Sequence, residues 1–218
     1  MKKRGFIFDL DGVIVDTAKY HFLAWKKLAN SIGVDFSEAQ NEQLKGVSRV
    51  KSLEKILQWG NKTLSEQEFT DLMTSKNDDY LVHVHQMDES EILPDVTEIL
   101  DFLLEKKQSI ALGSASKNAR LILNKVNLFA KFDVIVDGTN VSKAKPDPEV
   151  FLIAAKELEM QPEDCVVFED SVAGVQAANT ANMISVGIGD KKILHEADYV
   201  FRDFTEISED FLKEIKKK

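Results

Sequence analysis

The chain has 218 residues and is 44% hydrophobic, enough apolar material for a packed core, which argues against intrinsic disorder. A formal net charge of −9 argues against a nonspecific nucleic-acid binder, although an acidic protein can still offer a basic pocket to an anionic substrate. No apolar run approaches the length of a membrane span, and the N-terminal basic residues lead straight to Asp9, so neither a membrane anchor nor a signal peptide is expected and the cytoplasm is the expected compartment.

Phe6-Ile7-Phe8 reads as a short strand buried on both faces. Asp9 and Asp11 follow at once. Residues two apart on an extended chain point the same way, so both carboxylates can face one pocket beyond the strand end, and Gly12 can then turn the chain. Two carboxylates in one pocket repel unless they share a cation or a proton. The physical reading is a magnesium site with one carboxylate left free for chemistry.

Asp16 or Thr17 is placed to cap a helix running to about Ser31, with Phe22, Trp25, Leu28, Ala29 and Ile32 at helical spacing and Gly33 as its stop. Ser37 with Gln40, and Ser65 with Glu68, match capping boxes. Between them a short helix is expected to end near Lys45 and Gly46, and Ser48 to cap a helix with Leu53, Ile56 and Leu57 inside. From Asp16 to about Gln86 the periodicity is helical only. The pattern then alternates. A helix through Val96 to Leu103 precedes a strand at 109–113, a helix at 118–126 and a strand at 132–136. Asp147 caps a helix with Pro148 at its first position. Strands at 165–168 and 184–188 flank a helix at 171–182. An edge strand at 199–201 and a helix capped by Ser208 follow, and the basic tail Lys216-Lys217-Lys218 is expected to close that helix beside its dipole. Cys165, the only cysteine, is expected in the core. Strands alternating with helices imply a parallel sheet with right-handed crossovers. The expected fold is α/β: a Rossmann-like parallel-sheet core (1–15 and 88–218) with an inserted all-helical cap domain (16–87).

In such a sheet ligands bind beyond the carboxyl ends of the strands. The first strand ends at Asp9 and Asp11, and the second at Ser114-Ala115-Ser116-Lys117-Asn118. There a hydroxyl and free helix N-terminal amides can hold phosphate oxygens. Lys145 follows the third strand, and the fourth ends in Glu169-Asp170, two more carboxylates for a cation. Nucleophile, hydroxyl, lysine and metal carboxylates are the parts phosphoryl transfer needs.

On Asp9-Leu-Asp11-Gly12, Ser114, Lys145-Pro146 and Glu169-Asp170 the chain resembles the haloacid dehalogenase superfamily over essentially its whole length, and the place of the helical insert resembles the first cap class. The resemblance implies that Asp9 attacks phosphorus to give an aspartyl phosphate and that Asp11 is the general acid and base. It further implies Mg2+ held by Asp9, Asp11 (through its carbonyl) and Asp170 with Glu169 beside it, and Ser114 and Lys145 on the transferring group. Within the superfamily, Asp16 to Phe22, Asn41 to Arg49, Lys76-Asn77-Asp78 and Ser114 to Asn118 are similar to the β-phosphoglucomutase family. That similarity implies interconversion of β-D-glucose 1-phosphate and glucose 6-phosphate through β-glucose 1,6-bisphosphate. Arg49 would clamp the phosphate that is not transferring, with Lys45, Gly46, Val47 and Ser52 on the cap side of the sugar. Thr17, His21 and Lys76 would serve the substrate site and cap closure, and Ala115, Ser116, Lys117 and Asn118 the core side. Lys143 stands near enough to compete with Lys145, and Gly113 is expected to loosen the Ser114 loop. The alternatives are a magnesium-dependent phosphatase of small sugar phosphates and a non-catalytic phospho-ligand module. The expected partner is a small phosphorylated sugar, not nucleic acid or membrane, and the expected state is a monomer.

Overall fold

The computed structural model describes residues 2–216. Six strands form one parallel sheet in the order β3-β2-β1-β4-β5-β6: β1 (Gly5–Phe8), β2 (Ser109–Gly113), β3 (Val134–Val136), β4 (Cys165–Glu169), β5 (Ile184–Ile188) and β6 (Tyr199–Phe201). The expected α/β core is present. β1 is central, with Phe8 opposite Leu112 on one side and Phe168 on the other. Its neighbours in sequence run outward on one side and β4 to β6 on the other, so the crevice beyond β1 is the point where strand order reverses, the usual ligand position in such sheets.

The apolar run of β1 is explained by burial on both faces. Phe6 and Phe8 join one layer with Phe168 and Phe204, the rings of Phe8 and Phe168 stacked at 4.7 Å. Ile7 points the other way, to Ala111, Phe151 and Val167. Each such fully buried side chain contributes about 1.5–3 kcal/mol. Gly113 lies within β2 and does not loosen the loop after it. A Cβ there would sit 3.0 Å from Ile7 and Phe151, so its bareness serves close packing.

Helices α1 (Ala18–Ser31), α2 (Glu38–Glu42), α3 (Arg49–Trp59) and α4 (Glu66–Val84) lie between β1 and β2. They enclose a separate apolar cluster of Trp25, Leu28, Phe36, Leu53 and Ile56, so the insertion is an all-helical cap. Both capping boxes form, as does the Ser48 cap. Thr17 stands at the N-cap of α1 without capping it, because its hydroxyl donates to Asp11 instead.

The remaining helices are α5 (Val96–Glu105), α6 (Ala119–Lys125), α7 (Glu149–Glu157), α8 (Val172–Thr180) and α9 (Glu209–Glu214). β3 is shorter than expected, starting at Val134, two residues after the expected start, where Asp133 bonds Ile110 through its own carboxylate and amide. α7 begins at Glu149, not Pro148, with Asp147 accepting from the Glu149 amide at 3.1 Å. α9 ends before Lys216, and Lys217 and Lys218 of the expected basic helix end lie outside the described residues. Cys165 is buried as expected, and burial pushes its thiol up to about 12.

Candidate active site

A cavity of about 620 Å³ lies between the strand ends and the cap. Its lining carries Lys45, Arg49, Lys51, Lys76, Lys117 and Lys143 against three carboxylates, Asp9, Asp11 and Asp170. The acidic protein therefore presents a locally cationic site, suited to a phosphorylated ligand.

Asp9 follows directly from β1, its amide donating to the Phe168 carbonyl at 3.0 Å, which fixes the turn of the chain out of the sheet. Beneath it Lys145 is buried, donating to Asp9 at 2.6 Å, Glu169 at 2.5 Å and the Gly113 carbonyl at 3.1 Å. Burial disfavours the ammonium, but Asp9 and then Glu169 hold it above the usual lysine range. Burial likewise pushes Asp9 up to about 7, against the pull of Lys145. Lys143 does not compete. It is exposed, 3.4 Å from Asp147.

Glu169 differs from expectation. One carboxylate oxygen takes Lys145 and the other takes the amide and hydroxyl of Ser171, at 2.8 and 2.9 Å. Both oxygens are already engaged, so Glu169 orients Lys145 and is not placed as a direct metal ligand. Asp170 is different. Burial, with Glu169 and Asp9 adding to it, raises its carboxyl well above the usual range, and Lys45 of the cap is 3.7 Å away. A Cβ on Gly12 would lie 2.2 Å from its carboxylate, so Gly12 lets the Asp11–Gly12 turn press against Asp170.

These donors fit a hard divalent cation. Among the described residues no three His, Cys, Asp or Glu side chains converge as a metal cluster. A cation would take the carboxylates of Asp9 and Asp170, a main-chain carbonyl at Asp11, and water or phosphate oxygens, the sparse protein share that magnesium accepts.

Asp11 stands in another environment. Burial opposes its charge, but His21 and Thr17 favour the carboxylate enough to hold Asp11 below its ordinary range. The Thr17 hydroxyl bonds Asp11, and His21 Nε2 is 3.8 Å from it. Lys76 Nζ is 2.9 Å from His21 Nδ1. When Lys76 is charged its ammonium can only donate, so Nδ1 then accepts and the other ring nitrogen carries the proton facing Asp11. Lys76 is itself buried, 4.7 Å from the centres of the Trp25 and Tyr80 rings. Burial, then Arg49, lowers it to about 7. This chain of groups runs from cap helix α4 through α1 to the core. Thr17, expected to touch substrate, supports Asp11 from outside the lining.

On the core side Ser114, Ala115, Ser116, Lys117 and Asn118 all line the cavity as expected. Ser114 Oγ accepts from the Ser116 amide at 3.1 Å, leaving the hydroxyl proton to donate to a ligand. On the cap side Lys45, Gly46, Val47, Arg49 and Ser52 line it too. Gly46, at φ +69°, meets the core so closely that a Cβ would lie 2.4 Å from Ser171 Oγ. Burial lowers Arg49, and no ion pair among the described residues offsets that. Gly138, Val141, Ser142 and Ala144, unmarked in the sequence reading, also line the mouth, beside Lys143. The strand-end rule applied to β3 would have found them, since their turn follows that strand directly.

A haloacid dehalogenase-like hydrolase family model matches residues 3–182. The chain is 41% identical to the β-phosphoglucomutase of Bacillus subtilis (strain 168), over 97% of this chain and 94% of that protein. It is 32% identical to a phosphorylated carbohydrates phosphatase of Thermotoga maritima, over 89% and 91% of the two chains. The crystal structure of a β-phosphoglucomutase from Clostridium difficile superposes with a TM-score of 0.93 at 41% identity, covering 97% and 96%.

Proposed function

The chain belongs to the haloacid dehalogenase-like hydrolase family, and from that premise we propose that it is a β-phosphoglucomutase, interconverting β-D-glucose 1-phosphate and glucose 6-phosphate. The observation that carries this reading is Arg49: a partly desolvated guanidinium with no carboxylate partner among the described residues, in the same cavity as Asp9. A hydrolase needs one phosphate site. A mutase working through a bisphosphate needs two, and a planar guanidinium suits the second.

In the forward reaction phospho-Asp9 meets β-glucose 1-phosphate. Asp11 takes the proton of the 6-hydroxyl, that oxygen attacks phosphorus, and the bond from phosphorus to Asp9 breaks, giving β-glucose 1,6-bisphosphate. The bisphosphate turns over, so that Arg49 holds the 6-phosphate. Asp9 then attacks the 1-phosphate while Asp11 returns its proton to the departing sugar oxygen. Glucose 6-phosphate leaves and phospho-Asp9 is restored. Ser114 and Lys145 hold the transferring group, and Lys145 also offsets part of the burial that raises Asp9. Magnesium at Asp9, Asp11 and Asp170 would neutralise the phosphoryl oxygens. The cap, taken as residues 16–87 over a core of 1–15 and 88–218, excludes water from the acyl phosphate. We place this activity in the cytoplasm, in a monomer.

The test is glucose 6-phosphate formation from β- and α-glucose 1-phosphate, with and without magnesium and β-glucose 1,6-bisphosphate. Turnover of the β anomer that needs magnesium and is primed by the bisphosphate is expected. Phosphate release without glucose 6-phosphate would establish the phosphatase alternative instead.

A further inference from the structure

Loop 114–118 joins β2 to α6 and brings a hydroxyl and several amides to the phosphoryl site. It is held by β3 and the turn after it. At its start the Ser114 amide donates to the Val136 carbonyl at 3.0 Å. Just past its end, Arg120 in the first turn of α6 donates to the Ile135 carbonyl at 2.7 Å and to Asp137 at 3.0 Å. In the middle, the Gly138 amide donates to the Ser116 carbonyl at 3.2 Å, and a Cβ on Gly138 would lie 2.3 Å from the Ala115 carbonyl oxygen. Any larger residue at 138 would push the loop inward or break that contact.

The turn that does this is tied by its own hydrogen bonds. Asp137 is buried, and its carboxylate takes the Thr139 amide at 2.8 Å, the Thr139 hydroxyl at 2.6 Å and Arg120. Its own amide donates to the Asn140 side chain at 2.9 Å. Arg120 is half exposed and does not line the cavity. Its fork spans two acceptors on one strand end, which a lysine cannot do in that geometry.

We infer that Arg120 and Gly138 are positioning residues that hold loop 114–118, and through it Ser114, in place for the transferring phosphoryl group; the inference rests on the phosphotransfer reading above. Misplacement of a phosphoryl-binding group by about 1 Å costs on the order of 100-fold in rate.

The experiment measures single-turnover phosphorylation of Asp9 by acetyl phosphate in the magnesium-loaded full chain. Arg120→Met and Gly138→Ala are each made alone and with Ser114→Ala. Each single variant is expected to slow phosphorylation about 10- to 100-fold. In the Ser114→Ala background the further loss should shrink to about threefold or less, because the hydroxyl they position is gone and only the loop amides remain to be misplaced. An undiminished loss in that background would mean a general scaffold effect and overturn the inference, as would variants that match wild type. If Arg120→Met does not fold by circular dichroism, Gly138→Ala, which leaves the Arg120 side chain present, decides alone. A wild-type chain that forms no phospho-Asp9 overturns the phosphotransfer reading and this inference with it. A wild-type chain that forms it while the variants do so equally fast overturns the inference alone.

Discussion

Asp9 and Asp11 are two residues apart, yet their surroundings drive them in opposite directions. Burial raises Asp9 to about 7 and leaves Lys145 to offset it, whereas His21 and Thr17 hold Asp11 low. On the proposed mechanism the first would be the nucleophile, beside the Lys145 ammonium, and the second the base, kept ionised by donors, which is how a pair of carboxylates divides roles. Asp9→Asn is expected to abolish turnover and to leave the fold intact, since an amide cannot attack phosphorus and Lys145 keeps Glu169 as its partner. Turnover within tenfold of wild type at matched purity would remove Asp9 from that role. Lys76 gives a test by pH. Its folded value is about 7 against an ordinary 10.5. The unfolded chain therefore holds a proton that the folded protein has released, and stability rises with pH between those values as the cost of burying the ammonium is relieved. Lys76→Met removes that titration. The stability of the variant minus that of wild type should fall from pH 7 to pH 10.5 in urea melts, and a flat difference would mean Lys76 does not titrate there.

At the scale of elements, what was legible in the sequence was local. Ser37 with Gln40 and Ser65 with Glu68 cap their helices through neighbours three residues away, so the pattern contains both partners. β1 was legible because Phe6, Ile7 and Phe8 leave no polar face. The unread part depends on long-range partners. Lys145 was legible from its place after the third strand and before Pro146, but its bond to Asp9 spans 136 positions, and only that partner shows that Lys143, paired with Asp147, does not take its role. Glu169 looked like a cation ligand because its neighbour Asp170 suits one, but the Lys145 ammonium and Ser171 had already claimed it. Thr17 looked like a helix cap, and a carboxylate six residues back took its hydroxyl. The contact between the turn after α2 and the N-terminus of α8 was equally hidden, and it carries a prediction. Gly46→Ala places a methyl group against Ser171 and forces an alanine to φ +69°, a backbone cost of roughly 1–2 kcal/mol. The cap should seat less well on the core. We expect hydrolysis of phospho-Asp9 to rise relative to transfer to β-glucose 1-phosphate, read from the ratio of inorganic phosphate to glucose 6-phosphate. An unchanged ratio would mean that this contact does not help exclude water.

Across the whole molecule, sheet and cap contribute the two ends of one cavity, and the division of labour between them separates mutase from phosphatase. The core end holds Asp9, Lys145, Ser114 and Asp170, enough for phosphoryl transfer to and from an aspartate. Arg49 stands at the first position of α3, after the Ser48 cap and the Gly46 turn, and nothing in the core chemistry uses it. Its burial lowers its affinity for a proton, and among the described residues no carboxylate offsets that, so an anion from outside suits it as a partner. A bisphosphate with one phosphate on Asp9 has a second to place. Two charge-assisted hydrogen bonds to that partly desolvated phosphate contribute about 2–4 kcal/mol, which corresponds to about 30- to 1000-fold in rate. Arg49→Ala is therefore expected to cut mutase turnover by that factor. Hydrolysis of acetyl phosphate, which has no second phosphate, should change far less. A parallel fall in both activities would assign Arg49 to the fold or to the core site. No fall in either would leave the cap without a second phosphate site, and the phosphatase reading would then follow from the same core residues.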